Sequence, residues 1–322
     1  MNKKILIAFS IFLIGFGVFK LTSNKNLTSK TANSGRFRSF STNLEKYSID
    51  PNQLLSGGPE KDGIPSLSDP KFIDTEDVSF LEDDSIGILI QVNEEERFYP
   101  FNILVWHEIV NDQIENLSVA VTFCPLCGSA IVFDRRVDDR ILEFGVSGFL
   151  YESNMIMFDR QTESLWQQST GESIMGDYLN KELSVVPAQR LSYKDVVNNH
   201  PNALIMSSKT GHSRNYTISP YGDYDNNDQF LFPTSVKNNK FPAKEIMYVL
   251  ANQKSSVAFP ISNLKEGSSS TYTVNNSTYK ATKNNSEITV TNQKNDTIPG
   301  YYEMWFSWAT QHQEDGEVWE IK

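Results

Sequence analysis

The chain reads as a mainly β protein with a few short helices, paired largely in antiparallel sheets. Three observations predict this. Short β-branched and aromatic runs recur about every ten positions between turn residues. Helical patterning is confined to Phe101–Val110, Tyr193–Asn199 and the aromatic stretch Tyr302–Gln311. Hydrophobic residues at 39% and aromatics at 12% give 322 residues ample apolar surface for a large core.

In chain order, Lys3-Lys4 precede the uncharged apolar run Ile5–Phe19, and Lys20 follows it. Residues 1–20 therefore read as a signal peptide or membrane anchor, the run being short for a comfortable membrane span. This predicts an exported protein at the outer face of the cytoplasmic membrane or in the periplasm, touching membrane only through that segment. Residues 21–79 read as tether and surface loops, with Ser56-Gly57-Gly58-Pro59 and Asp62-Gly63-Ile64-Pro65 as punctuation.

A β-rich domain is expected over residues 80–322, with regular structure beginning near Phe80. Ile86–Val92 and Arg97–Tyr99 form a hairpin ended by Pro100, and Leu117–Phe123 and Ala130–Phe133 flank a turn. Strands are expected at Ile141–Val146, Met155–Asp159, Leu183–Val186 and Ala203–Ser207, with Ser192 capping the helix Tyr193–Asn199. Tyr216–Phe241 reads as a long surface loop, after which strands return at Glu245–Leu250, Val257–Phe259, Thr271–Val274, Tyr279–Thr282 and Glu287–Thr291. Arg97-Phe98-Tyr99-Pro100-Phe101 is echoed by Val257-Ala258-Phe259-Pro260-Ile261, so two related halves, 80–215 and 240–322, are one reading and chance is the other.

Lys and Arg number 29 against 40 Asp and Glu, a formal net charge of −11. An acidic chain without a basic patch repels phosphate backbones, so nucleic acid is excluded as a partner, and no nucleotide cofactor is expected.

Chemistry concentrates in Cys124-Pro125-Leu126-Cys127-Gly128-Ser129, which holds both cysteines of the chain. Pro125 fixes φ early in the turn and Gly128 permits a positive φ, so a tight knuckle directs both sulfurs into one space. A metal at such a knuckle needs further ligands. Of His107, His200, His212 and His312, His107 lies just ahead of the strand that delivers Cys124. Cys124, Cys127 and His107 are therefore expected to hold a zinc or copper ion, with an open coordination position for catalysis.

Two other readings of the pair stand beside this. An exported chain meets an oxidising environment, where the pair closes as a structural disulfide or takes part in thiol exchange. Against thiol exchange, the chain after Cys127 continues as strand, without the helix amino terminus that lowers a thiol pKa. Glu108 and Asp159 are the expected proton carriers, with Asn111 and Asp112 ranked behind them. His107 has a bland alternative as a structural residue bonded to a backbone carbonyl; His200 reads as structural and His312 as exposed. Gly145-Val146-Ser147-Gly148 lacks the spacing of a serine nucleophile elbow. Met157 reads as core, although a thioether near a thiol pair also suits Cu(I).

Together, Trp106-His107-Glu108-Ile109-Val110-Asn111-Asp112, Cys124-Pro125-Leu126-Cys127-Gly128-Ser129, Phe144-Gly145-Val146-Ser147-Gly148 and Phe158-Asp159-Arg160-Gln161-Thr162 resemble the exported bacterial and archaeal domain-of-unknown-function family 3179. The similarity extends to Thr210-Gly211, Arg214, Tyr216, Pro220-Tyr221 and Trp305-Phe306, covering almost everything from Ile86 onward. The resemblance implies an extracytoplasmic domain with a Cys-x-x-Cys knuckle and carries no activity with it. The matching characteristic residues are His107, Glu108, Asn111, Asp112, Cys124, Cys127, Asp159, Arg160, Trp166, Arg214 and Tyr216. Phe98-Tyr99-Pro100 departs from an expected Ala-Tyr-Pro.

The expected function is thus a metal-dependent or redox-active extracytoplasmic protein, an oxidoreductase under the metal reading. The alternative class is a module binding a small molecule or cell-envelope partner through aromatics of Tyr216–Tyr224 and Trp305–Trp308, with the cysteines merely bracing the sheet.

Overall fold

The computed structural model describes residues 35–321, apart from 236 and 252–255. The leader-like run 1–20 and the first part of the tether lie outside the described residues. Residues 35–38 belong to a separate unit, and the sheets and the site lie in the unit from Ser39 onward.

The largest sheet has eight strands in the order Leu67–Ser68, Ile109–Ile114, Leu117–Cys124, Ser129–Asp134, Gly300–Met304, Ile246–Leu250, Val257–Pro260 and Glu317–Val318. It draws on both expected halves of the domain, since Tyr302 pairs with Ala130. One five-stranded sheet runs Leu55–Ser56, Phe144–Tyr151, Asn154–Asp159, Leu165–Gln167 and Ser173–Met175. A second runs Gln189–Ser192, Ile86–Val92, Glu95–Pro100, Leu204–Met206 and Phe72–Ile73, and a four-stranded sheet lies between Ser269 and Ile298. Most neighbours are antiparallel; Leu67–Ser68, Leu204–Met206 and Glu317–Val318 each make one parallel pairing. The protein is mainly β with short helices, as its alternating runs predict.

Several elements match their local signals closely. Ser192 caps the helix Tyr193–Asn199, its hydroxyl accepting from the Asp195 amide at 3.1 Å. Both Pro-ended strands lead into a helical turn, Phe101–His107 after Pro100 and Ile261–Asn263 after Pro260. They sit in different sheets.

Other elements differ from expectation. The first helix stops at His107, because Glu108 takes φ 59° and turns the β-branched Ile109 and Val110 into the eight-stranded sheet. Tyr302–Met304 likewise belongs to a strand, and the last helix begins at Trp305. Leu183–Val186 forms only an isolated bridge between Val185 and Phe133, and the strand expected from Ile141 begins at Phe144. Regular structure starts well before Phe80, at Pro51–Gln53, because Leu54 and Leu67 are buried anchors that hold this stretch against the sheets. Among the described residues no helix is long and apolar enough to cross a membrane.

The main core cluster contains Phe133, Phe144, Trp166, Met304 and Trp305, and both cysteines belong to it. The thiol hairpin is therefore an interior feature.

Candidate functional site

Leu117–Cys124 and Ser129–Asp134 pair with Cys124 opposite Ser129, leaving a four-residue connection. The Cys127 amide donates back to the Cys124 carbonyl at 3.3 Å, and Gly128 takes φ 58° to rejoin the second strand. A side chain at Gly128 would meet Met304 Cγ at 2.9 Å, so the glycine supplies clearance as well as backbone freedom. The loop is fixed from outside by the Met304 amide on the Cys127 carbonyl at 2.9 Å and by the Tyr224 hydroxyl on the Leu126 carbonyl at 2.8 Å. Both thiols are free, and Cys124 and Cys127 are 1% and 0% exposed.

Around Cys127 lies a buried polar network. Asn154 Nδ2 donates to Cys127 Sγ at 3.2 Å and to Gln168 Oε1 at 2.9 Å, while Gln168 Nε2 donates to Thr122 Oγ1 at 2.9 Å. Ser129 Oγ lies 3.1 Å from Cys127 Sγ and 2.5 Å from Gln168 Oε1. A serine has one proton to give and two lone pairs to accept with, which makes this hydroxyl a rotor. With Cys127 protonated, its S–H donates to Ser129 while the serine donates to Gln168. With Cys127 ionised, the serine proton turns to the sulfur and Gln168 Oε1 keeps its bond from Asn154. The network is satisfied in both protonation states.

Electrostatics separate the two thiols. Burial pushes Cys127 up, but hydrogen bonds from Cys124, Ser129 and Asn154 outweigh it and bring this thiol down to about 7. Burial, its bond to Cys127 and the charges of Cys127 and Glu108 hold Cys124 well above the usual thiol range. One sulfur is thus the ready thiolate and the other the proton-bearing donor beside it.

Two buried carboxyls attend the pair. Glu108 is raised to about 8 by burial and by the charge of Cys127, against a hydrogen bond with Tyr221. Its positive φ is uncommon for a residue of this size and directs it away from the helix that precedes it. Glu303 is 0% exposed, and neither carboxyl oxygen has a hydrogen-bond partner of ordinary length. Burial, followed by the charge of Cys127, holds it well above the carboxylate range, the same direction in which Glu108 is shifted. Beside Glu108 and Tyr221 a cavity of about 70 Å³ is walled by Leu126, Val146, Leu150, Met155 and Phe232.

Of the residues expected to form the site, Cys124, Cys127 and Glu108 come together, and His107 does not join them. The ring of His107 is occupied at both nitrogens, Nδ1 by the Pro65 carbonyl at 2.7 Å and Nε2 by the Tyr216 hydroxyl at 2.8 Å. Burial lowers it to about 4, with His212 and Arg214 adding to the effect. Among the described residues no three His, Cys, Asp or Glu side chains are grouped so as to hold a metal ion. The expected ligand set of Cys124, Cys127 and His107 is therefore not assembled, because the helix end that buries His107 sends the imidazole to the Pro65 and Tyr216 side.

Asp159, the other expected proton carrier, is committed to its own turn. It accepts from the Thr162 amide at 2.6 Å and from Trp166 Nε1 at 2.9 Å. Asn111 bridges the amide and carbonyl of Phe144, Asp112 pairs with Arg97 and Tyr99, and Arg160 pairs with Asp62. These motif residues fasten strands to one another. His200 is held between Glu96 and Glu287, whereas His312 is partly buried against Asp315. Of the aromatics expected to capture a ligand, Tyr216, Tyr224, Trp305 and Trp308 are buried, whereas Tyr221 is partly exposed.

Sequence reasoning missed Asn154, Gln168 and Glu303 as site residues, while Tyr221 was singled out only as a ligand-capturing aromatic. The signal was present for two of them. Asn154 opens the otherwise apolar run Asn154–Phe158, and Glu303 is the lone charge in Gly300–Trp308. A polar group on a buried strand needs a partner or a task.

Fold and site together define a β-rich protein with a dithiol enclosed in its core and a protonated carboxyl on hand. The family model described as a protein of unknown function (DUF3179) matches residues 61–298, and the chain belongs to that family. Comparison with curated proteins and with solved structures gives no match.

Proposed function

We propose that this is an exported thiol redox protein whose working centre is the Cys124–Cys127 pair, cycling between dithiol and disulfide. The observation that carries the reading is the Ser129–Asn154–Gln168 network, which accommodates Cys127 as thiol and as thiolate without leaving a polar atom unpaired. A purely structural cysteine has no need of that tolerance. The adjacent Cys124 supplies the second sulfur, and Glu108 supplies a proton that burial keeps in place. The apolar run at residues 5–19 supports export into an oxidising compartment, where such a pair has work to do.

The test is a redox titration of the folded protein in graded thiol–disulfide buffers, with the two states counted by mass after alkylation. The expected result is a single reversible two-electron transition with circular dichroism unchanged. Cysteines that stay reduced until the protein unfolds would overturn the reading, as would about one equivalent of tightly bound zinc or copper masking both thiols.

A further inference from the structure

We infer that the apolar tip Phe230-Leu231-Phe232-Pro233 of the long loop docks into the surface of a lipid bilayer, the one that the run Ile5–Phe19 enters. The inference rests on reading residues 1–20 as a retained anchor and draws nothing from the thiol chemistry.

The surface comes first. Among the described residues, large hydrophobic side chains are well exposed at six positions, and only Phe230 and Leu231 of these are consecutive, at 43% and 54%. Single exposed apolar residues need no explanation, whereas a contiguous run marks a contact surface. Pro233 continues the run in the open, with Phe232 half-buried beside it. Together with Ala243 and Phe306 they bound an open cavity of about 540 Å³, in which Lys237 is the one charged side chain among the described lining residues.

The tip is fixed in this exposed position. The Phe230 ring stands edge-on to Phe306 with centroids 4.8 Å apart. The Ser235 amide donates to Glu152 Oε2 at 2.6 Å, and Trp305 Nε1 donates to the Asn238 carbonyl at 2.8 Å. Folding has therefore already ordered the loop, and docking pays little of that entropy again.

Attachment decides the occupant. The chain enters this unit at Ser39, and the next ring, Phe40, lies 5.7 Å from that of Phe149. Phe149 and Phe232 wall the same cavity of about 70 Å³, so the tether joins the body beside the apolar tip. Residues 20–39 separate the apolar run from Phe40, a reach of at most about 70 Å. An anchored chain thus keeps this face near the bilayer at high effective concentration. A formal net charge of −11 is repelled as a whole by anionic headgroups, so contact with lipid has to be made through an apolar patch. Aromatic and aliphatic side chains beside a lysine suit the headgroup boundary, where the lysine stem lies along hydrocarbon and its ammonium meets phosphate.

The full chain reconstituted with phosphatidylcholine–phosphatidylglycerol vesicles tests this with two readouts. Flotation reports anchoring, and quenching of tryptophan by lipids brominated high on the acyl chain reports docking. Leu231→Trp adds an indole at the tip; Val197→Trp, also at an exposed position, adds one on the helix Tyr193–Asn199, which packs on a different sheet. Insertion to the acyl boundary should let the brominated lipid remove at least about half of the emission added at position 231 and almost none of that added at 197. Pro233→Asp in the Leu231→Trp chain should cut the quenching at least about two-fold, because a carboxylate resists leaving water. Equal quenching at the two positions, none at either, or quenching indifferent to Pro233→Asp overturns the inference, and flotation alongside such a result leaves the anchor standing. An unquenched tip tryptophan whose emission moves to the blue as protein concentration rises assigns the patch to a second copy and overturns it as well. A chain that does not float removes anchor and docking together.

Discussion

His107 and Glu108 are neighbours in the chain, yet they serve two different regions. His107 ends a helix and points to Pro65 and Tyr216, where a neutral imidazole ties the start of the domain to the long loop. Glu108, one residue on and at positive φ, belongs to Tyr221 and the buried thiols. A motif seven residues long is thus split by a single backbone reversal between a fastening and a reactive centre. Proximity in sequence says little about a shared site when a helix changes into a strand between the two residues.

The sharpest way to break this comparison is to disable one region and measure the other. Cys127→Ser should abolish disulfide formation outright, whereas His107→Gln, acting on a separate cluster, should leave its rate within about two-fold. A large loss with His107→Gln would return the imidazole to the thiol site.

Next in size is the dependence of stability on pH, where the two residues act in opposite senses. Glu108 keeps a proton in the folded state up to about 8 that the unfolded chain loses near 4.5. Its contribution is complete below about pH 4.5 and is lost as pH rises toward 8, with Glu303 acting in the same direction. His107 is held neutral down to about 4, while the unfolded chain protonates it near 6.5. Its contribution is present above pH 6.5 and is lost as pH falls toward 4. Each slope approaches about 1.4 kcal/mol per pH unit. Urea unfolding across this range should show the alkaline limb flattened by Glu108→Gln and the acid limb flattened by His107→Gln; unchanged limbs would mean these groups titrate normally.

The smallest of these effects concerns Asp159, whose carboxylate organises the Thr162 turn and the Trp166 indole. Asp159→Ala should cost roughly 1–3 kcal/mol in urea unfolding, through the stranded partners, and leave the rate of disulfide formation untouched. Slower oxidation in a variant of normal stability would restore Asp159 as a proton carrier.

Much of the fold was legible because its signals are local. Alternation along Leu117–Phe123, the serine before Tyr193 and the proline at position 100 each act over a few residues, and each element forms where they place it. Element ends were less readable. Val110 continues a helical pattern on paper, but the eight-stranded sheet takes it. The knuckle was legible as well, since Pro125 and Gly128 dictate a turn whatever surrounds it. Its surroundings were not: Asn154 and Gln168 come to Cys127 and Ser129 from a different sheet, and Glu303 comes from a strand far along the chain that pairs beside Ala130. The placement of His107 failed for the same reason, because the residues that claim its ring, Pro65 and Tyr216, are far away in sequence on either side.

Thiolate absorbance of the reduced protein, followed from acid to alkaline pH in native conditions, tests most directly whether neutral donors hold Cys127 ready beside a protonated Cys124. One thiolate is expected to appear with a midpoint about 7, lost in Cys127→Ser and shifted upward in Ser129→Ala, with no second thiolate while the fold persists. Two thiolates emerging together in the ordinary thiol range, or none before unfolding, would contradict it.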